Sequence, residues 1–198
     1  MPKDLFFKLN KEKRSQIIDS IIKEMSKYCY NDISINRIIK TANISRGSFY
    51  NYFNDKEDMV LFIIKNNGDR LFEINNNEIL EENIDIFSKI EKFIEKILLN
   101  DNFESVQIMK NTMRGLTEND KEIKQFLFQF HRNMMLNLLK KDNTIYLEND
   151  EEKNAFVDIL FYVSKNTFNK IYVDYENRYD YFEQYKNQLK LLRKKFKK

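Results

Sequence analysis

The chain has 198 residues, 42% hydrophobic and 33% charged, with a formal net charge of +3. That suits one large domain or two small ones with a real core, and no stretch approaches the roughly 18 uncharged apolar residues of a membrane-spanning helix. Cys29 is alone, which excludes an internal disulfide, and the start MPKDLFFKLNKEKR lacks the apolar run and cleavage site of a signal peptide, so the cytoplasm is the expected compartment.

Three glycines and one proline point to long regular elements with few special turns, and these are expected to be helices. Charge is unevenly placed. Residues 1–54 carry ten Lys/Arg against five Asp/Glu, residues 55–185 carry 17 against 26, and residues 186–198 carry seven basic residues and no acids. A basic front and an acidic middle suggest two modules with different partners.

In chain order, Phe6, Phe7 and Leu9 come first and are expected to staple the first helix to the core. That helix covers roughly 10–29, where Ile17, Ile18, Ile21, Ile22, Met25, Tyr28 and Cys29 recur at spacings of three and four. Cys29 reads as a small buried hydrophobe. Ser34 caps a short second helix, about 34–41, with Ile35, Ile38, Ile39 and Ala42 inward. Asn43 ends it at a sharp corner, because Asn tolerates the left-handed conformation better than other non-glycine residues. Ile44 returns to the core, Ser45 caps a third helix, and Asp55 caps a fourth in NDKEDMVLFII. Three helices, the second and third joined by so short a turn, make a helix-turn-helix.

The third helix lies in SRGSFYNYF, residues 45–53. Phe49 and Phe53 are four apart, share a face and point inward. Arg46, Gly47, Tyr50 and Asn51 lie opposite, flanked by Ser48 and Tyr52. An arginine there can read guanine O6 and N7 or hold a phosphate. A glycine lets the backbone approach a groove edge. A tyrosine offers a ring to a thymine methyl and a hydroxyl to a phosphate oxygen. Lys56, in the first turn of the fourth helix, adds charge to an anion-attracting helix end.

ISINRIIKTANISRGSFYNYFNDKEDMVLFII resembles the DNA-binding region of the TetR/AcrR (tetracycline-repressor) family of bacterial regulators. The likeness is carried by Ala42, Ile44, Ser45, Arg46, Gly47, Ser48, Phe49, Tyr50, Tyr52, Phe53, Lys56 and Glu57, and it spans about 10–63. It departs at Asn43, where the family usually has Gly. The resemblance implies that Arg46, Gly47 and Tyr50 reach bases and that Ser34, Ser48, Asn51, Tyr52 and Lys56 hold phosphates. It also implies the family's plan beyond residue 63: a variable all-helical domain that binds a small effector and dimerises.

Periodicity there predicts helices near 56–76, 79–99, 103–113, 119–140, 150–174 and 178–196, with breaks at residues 75–77, 100–102, 115, 141–143 and 176–177. Gly68 falls inside the fourth helix, at a close crossing or a kink. His131, the single histidine, has no cysteine, serine or carboxylate at a suggestive offset, and the chain has no Gly-rich phosphate loop, paired-Cys motif or HExxH. No enzyme, cofactor or metal is therefore expected. Phe126, Phe128, Phe130, Met134 and Met135 are either core or, with His131, the lining of an effector pocket, for which Phe126, Phe130, His131 and Met134 are the candidates. On 150–174, Phe156, Ile159, Leu160, Val163, Thr167 and Ile171 form one stripe while Phe161, Tyr162, Phe168 and Tyr172 make further faces apolar. A helix apolar on most sides must be covered on most sides. With Phe182, Tyr185, Leu189, Leu192 and Phe196 on the last helix it would form a two-fold interface, as the family plan implies, with Phe156, Leu160, Val163, Leu189 and Leu192 its candidate residues. The alternative is that both helices pack within one subunit. The basic end KLLRKKFKK complements a helix C-terminus, and a membrane-surface role is the weaker reading of it.

The expectation is thus an all-α protein of about nine helices. Residues 1–54 form a three-helix helix-turn-helix DNA-binding domain and residues 55–198 a helical ligand-binding and dimerisation domain. Its partners are double-stranded DNA, a second copy of itself and a small-molecule effector, with no membrane. It is a repressor that the effector releases from a pseudo-palindromic operator. The rivals are an activator or an effector-independent DNA binder of the same fold, and a helical protein-interaction adaptor.

Overall fold

The structure, a computed structural model, describes residues 1–66, 84–98, 104–140 and 142–196. Ten α-helices run through them: α1 (Asp4–Phe7), α2 (Lys11–Lys27), α3 (Ile35–Thr41), α4 (Arg46–Tyr52), α5 (helical over 56–66), α6 (Ile86–Leu98), α7 (Glu104–Gly115), α8 (Lys121–Lys140), α9 (Asp150–Val173) and α10 (Arg178–Phe196). A 3-10 turn at Tyr30–Asp32 links α2 to α3. The all-α class is as expected, and the helix added to the expected nine is the single turn α1. Gly68 and the breaks at 75–77 and 100–102 lie outside the described residues.

Helix starts are set by local chemistry. Asn10, Ser34, Ser45 and Asn149 each accept a hydrogen bond from a backbone N–H three residues on, which satisfies a donor that the first turn leaves open. Asp55 does the same for the N–H of Asp58 at 2.8 Å, and Asp85 for that of Ser88 at 2.9 Å. The cap at Asp85 fixes the start of α6 at residue 86, and residues 79–83 of the expected helix lie outside the described residues. Asn43 has φ 47°, the left-handed value its corner requires.

Packing divides the chain into two compact units, Met1–Arg70 with Glu104–Phe126, and Leu71–Phe103 with Leu127–Lys198. This division is drawn differently from the sequence boundary at 54/55. The reason lies in α7. Its Asn111 donates from Nδ2 to the carbonyls of Met25 and Ser26, both at 2.9 Å, and so fills acceptors that the end of α2 leaves open. Val106, Ile108 and Met109 on the same helix are buried.

In the first unit Phe6, Ile17, Ile21, Met25, Ile38, Phe49, Phe53 and Met59 are fully buried. Each such side chain contributes about 1.5–3 kcal/mol relative to exposure. Phe6 sits 5.2 Å from Phe53 and 5.4 Å from Phe62, ring centre to ring centre. Of the three expected staple residues only Phe6 is buried. Phe7 lies at the rim, half exposed, and Leu9 is half-buried. Cys29 is also only half-buried, because α2 ends at Lys27 and the chain turns away before Cys29 can complete the stripe.

In the second unit Phe87 of α6 meets Phe156 of α9 edge-on at 5.9 Å, and Phe156 meets Phe196 of α10 at 4.9 Å. The Ser164 and Tyr185 hydroxyls pair at 2.6 Å inside the α9–α10 contact. Arg193 donates to Asp85 at 2.9 Å and to Ser88 at 2.7 Å, tying α10 to the start of α6. This packing corrects part of the expected dimer face. Phe156, Leu160 and Leu189 are buried inside the single chain, covered by their own unit, whereas Val163 and Leu192 stay half-buried. Ile159, Tyr162 and Leu191 on the same helices are exposed.

Candidate nucleic-acid interface

Helix α4 is fixed from below and from both ends. Below, Phe49 and Phe53 are buried with their rings 5.4 Å apart. At its start the Ser45 hydroxyl accepts from the Ser48 N–H at 3.0 Å, and the two serine hydroxyls lie 2.8 Å apart. At its end a strap formed by Lys3 closes it. The Lys3 backbone N–H donates to the Tyr52 carbonyl and the Lys3 ammonium to the Tyr50 carbonyl, each at 2.8 Å. These are the open acceptors of a helix C-terminus, where positive charge is favoured.

Arg46, Gly47, Tyr50 and Asn51 are exposed on the outer side, with Ser48 and Tyr52 half-buried at its flanks. That arrangement places together the six residues of this helix that the sequence singled out. The Arg46 guanidinium is not loose. Its Nη1 donates to Asn36 Oδ1 at 2.8 Å, and its Nη2 lies 3.5 Å from the Tyr50 hydroxyl. A Cβ at Gly47 would meet only Ser45 Oγ, at 3.8 Å, so no protein atom requires a glycine there.

Ser34 accepts from the Arg37 N–H at 3.4 Å as the cap of α3. The start of α3 is held from α2 by the buried Glu24, whose carboxylate accepts from the Ser34 N–H at 2.9 Å and from Arg37 Nε at 2.8 Å. Lys56 sits apart from the other candidates in its bonding. Its ammonium donates to the Tyr30 carbonyl at 3.0 Å and lies 4.4 Å from the Tyr30 ring centre. One of its three donors is thereby committed within the protein. Burial, followed by the nearby Asp120 and Glu57, pushes the Tyr30 hydroxyl well above its usual range. Burial likewise raises Glu57, with Glu122 adding to the effect.

Sequence reasoning missed Asn36, Lys3 and Glu24. Asn36 had a legible signal, since it is a short polar residue in the first turn of a capped helix, two positions after Ser34. Lys3 and Glu24 had none, because their partners are set by tertiary packing.

The effector-pocket candidates divide between the units. Phe126 belongs to the first, and Phe130, His131 and Met134 to the second. Met134 is buried core. The His131 ring stacks on Phe168 at 5.4 Å and meets Phe130 at 5.8 Å. Among the described residues no group of three or more His, Cys, Asp or Glu is placed to hold a metal ion, and no helix is long and apolar enough to cross a membrane.

A capped, two-helix corner that presents a polar, arginine-bearing helix above an aromatic core defines a helix-turn-helix protein. Residues 17–63, from within α2 into α5, match the description "Bacterial regulatory proteins, tetR family". The chain is 30% identical over 137 residues to an uncharacterized HTH-type transcriptional regulator, YuxN, of Bacillus subtilis, an alignment covering 66% of this chain and 47% of that protein. It is 39% identical over 59 residues to the HTH-type transcriptional regulator HbdR of Aromatoleum, covering 30% of this chain and 26% of that one. The chain thus spans about half or less of the length of these curated relatives. A transcriptional regulator from Cytophaga hutchinsonii superposes with a TM-score of 0.66 at 17% identity, over 95% of this chain and 100% of that chain, which shows the shared fold.

Proposed function

We propose that this protein is a homodimeric DNA-binding transcriptional regulator, a repressor that a small-molecule effector releases from a pseudo-palindromic operator. The observation that carries the reading is α4 itself. Arg46, Gly47, Tyr50 and Asn51 stand on one exposed face, and Phe49, Phe53, the Ser45 cap and the Lys3 strap hold that face rigid. Such a helix enters a major groove with its N-terminal residues on base edges. Arg46, Gly47 and Tyr50 are the base-contacting set. Ser34, Ser48, Asn51, Tyr52 and Lys56 hold phosphates, Lys56 through the donors that Tyr30 leaves free.

Two copies would place two such helices in successive grooves. The copies would meet along α9 and α10 at Val163 and Leu192, joined by the exposed Ile159, Tyr162 and Leu191. In the second unit the half-buried Phe130 and His131 against Phe168 are the apolar surface proposed to touch the effector. An effector acts only through higher affinity for the arrangement in which the helices no longer match the groove spacing.

The test is a titration of duplex DNA at increasing salt with wild-type and Arg46→Ala protein. Wild type should bind a selected duplex in the nanomolar range at low salt and weaken steeply as salt rises. Arg46→Ala should lose roughly 1–3 kcal/mol on that duplex. Equal binding by the two proteins would remove α4 from the interface.

A further inference from the structure

We propose that Asn36, on α3, is a specificity-determining residue of the DNA-reading surface, which orients the Arg46 guanidinium and contributes a hydrogen-bond donor beside it. The proposal rests on the DNA-binding reading above and deepens it, since it makes the reader a pair drawn from both helices of the motif.

The Asn36 side chain is exposed, as is that of Arg46, and the two meet across the helix-turn-helix corner at 2.8 Å. The direction of this bond is fixed by chemistry. A guanidinium has no acceptor, so the atom facing Nη1 is Oδ1 and the amide Nδ2 points elsewhere. An exposed bond of this kind adds little to stability, and its consequence is geometric. An arginine side chain otherwise samples many rotamers. Here the guanidinium lies between Asn36 on one side and Tyr50 on the other, with Nη2 3.5 Å from the Tyr50 hydroxyl and Cζ 5.6 Å from the ring centre. Of its five N–H donors, those not directed at Asn36 and Tyr50 remain for a base edge, and two suffice for guanine O6 and N7.

The same bond restricts what Asn36 can read. A free asparagine reads adenine with both ends of its amide, donating to N7 and accepting from N6. With one lone pair of Oδ1 taken by Arg46, the two Nδ2–H donors are what Asn36 offers most freely to a base. It therefore favours a position that offers an acceptor in the major groove, such as guanine O6 or thymine O4.

The experiment is a selection from random duplex DNA with wild type, Asn36→Ala and Asn36→Asp in parallel, with helical content checked for each. Wild type should show a guanine preference at one position of each half-site. Asn36→Ala should flatten that preference by about tenfold while its affinity for the best site falls less and its helical content is unchanged. A purely structural role would lower affinity for all sequences alike and leave the base preference as it was. Asn36→Asp keeps an acceptor for Arg46 but loses the donor and adds negative charge, so it should keep the guanine preference and bind every duplex more weakly. An unchanged base preference in Asn36→Ala, with wild type selecting a clear site, would overturn the role of Asn36 alone. Failure of wild type to enrich any site would instead remove the DNA-binding reading, and the role of Asn36 with it.

Discussion

Gly47 and Gly115 both belong to helices, yet their surroundings separate their roles. A Cβ at Gly47 would have one ordinary contact, Ser45 Oγ at 3.8 Å. Gly47→Ala should therefore fold, and gain up to about 1 kcal/mol from the better helix propensity of alanine. Its DNA affinity should fall, because the methyl group would stand between the helix and the groove. Operator binding and urea unfolding of the same variant check both halves, and unchanged binding would show that close approach is not why the glycine is present. A Cβ at Gly115 would lie 2.5 Å from the Tyr30 backbone nitrogen and 2.9 Å from Tyr30 Cβ. Backbone cannot step aside as a flexible side-chain tip can, so Gly115→Ala should lose about 1–3 kcal/mol in urea unfolding.

At the scale of elements, the contact of α8 with α9 makes a pH-dependent contribution. Burial pushes the His131 imidazole down to about 4 from 6.5, against a smaller opposing effect of the Leu127 backbone. Between those values the unfolded chain takes up a proton that the folded chain does not, so stability falls as pH drops from about 6.5 toward 4. Acid also unloads carboxylates, and the check is therefore a comparison: His131→Gln should lose less stability than wild type over that window. Equal losses would mean that the ring does not stay neutral against Phe168. The elements also show what a sequence makes legible. The caps at Ser34, Ser45 and Asp55 and the corner at Asn43 were readable because a cap or a left-handed turn is decided within about four residues. The bonds of Asn111 to Met25 and Ser26, the seat of Gly115 on Tyr30, and the Lys3 strap join residues far apart in sequence, and no local pattern encodes them. The stripe on α9 was readable as apolar, but a stripe does not say what covers it. Phe156, Leu160 and Leu189 turned out to be covered by their own chain.

At the scale of the whole molecule, tight operator binding requires two copies acting together, since two tethered weak half-site contacts make one strong one. The exposed Tyr162 and half-buried Val163 give a way to separate assembly from folding. The double change Tyr162→Glu, Val163→Glu should yield monomers that keep their helical content and lose operator affinity, with residues 1–54 untouched. Leu160→Glu, which buries a charge in the core, should unfold the chain instead. Sedimentation and circular dichroism distinguish the two outcomes, and a wild-type chain that sediments as a monomer at micromolar concentration would reject the interface. The most direct measurement of the central claim is selection of binding sites from random duplex DNA by the wild-type chain. A two-fold dimer should enrich an inverted repeat whose half-sites are about one helical turn apart, or a multiple of it. Recovery of no enriched sequence, or of single half-sites without symmetry, would contradict it.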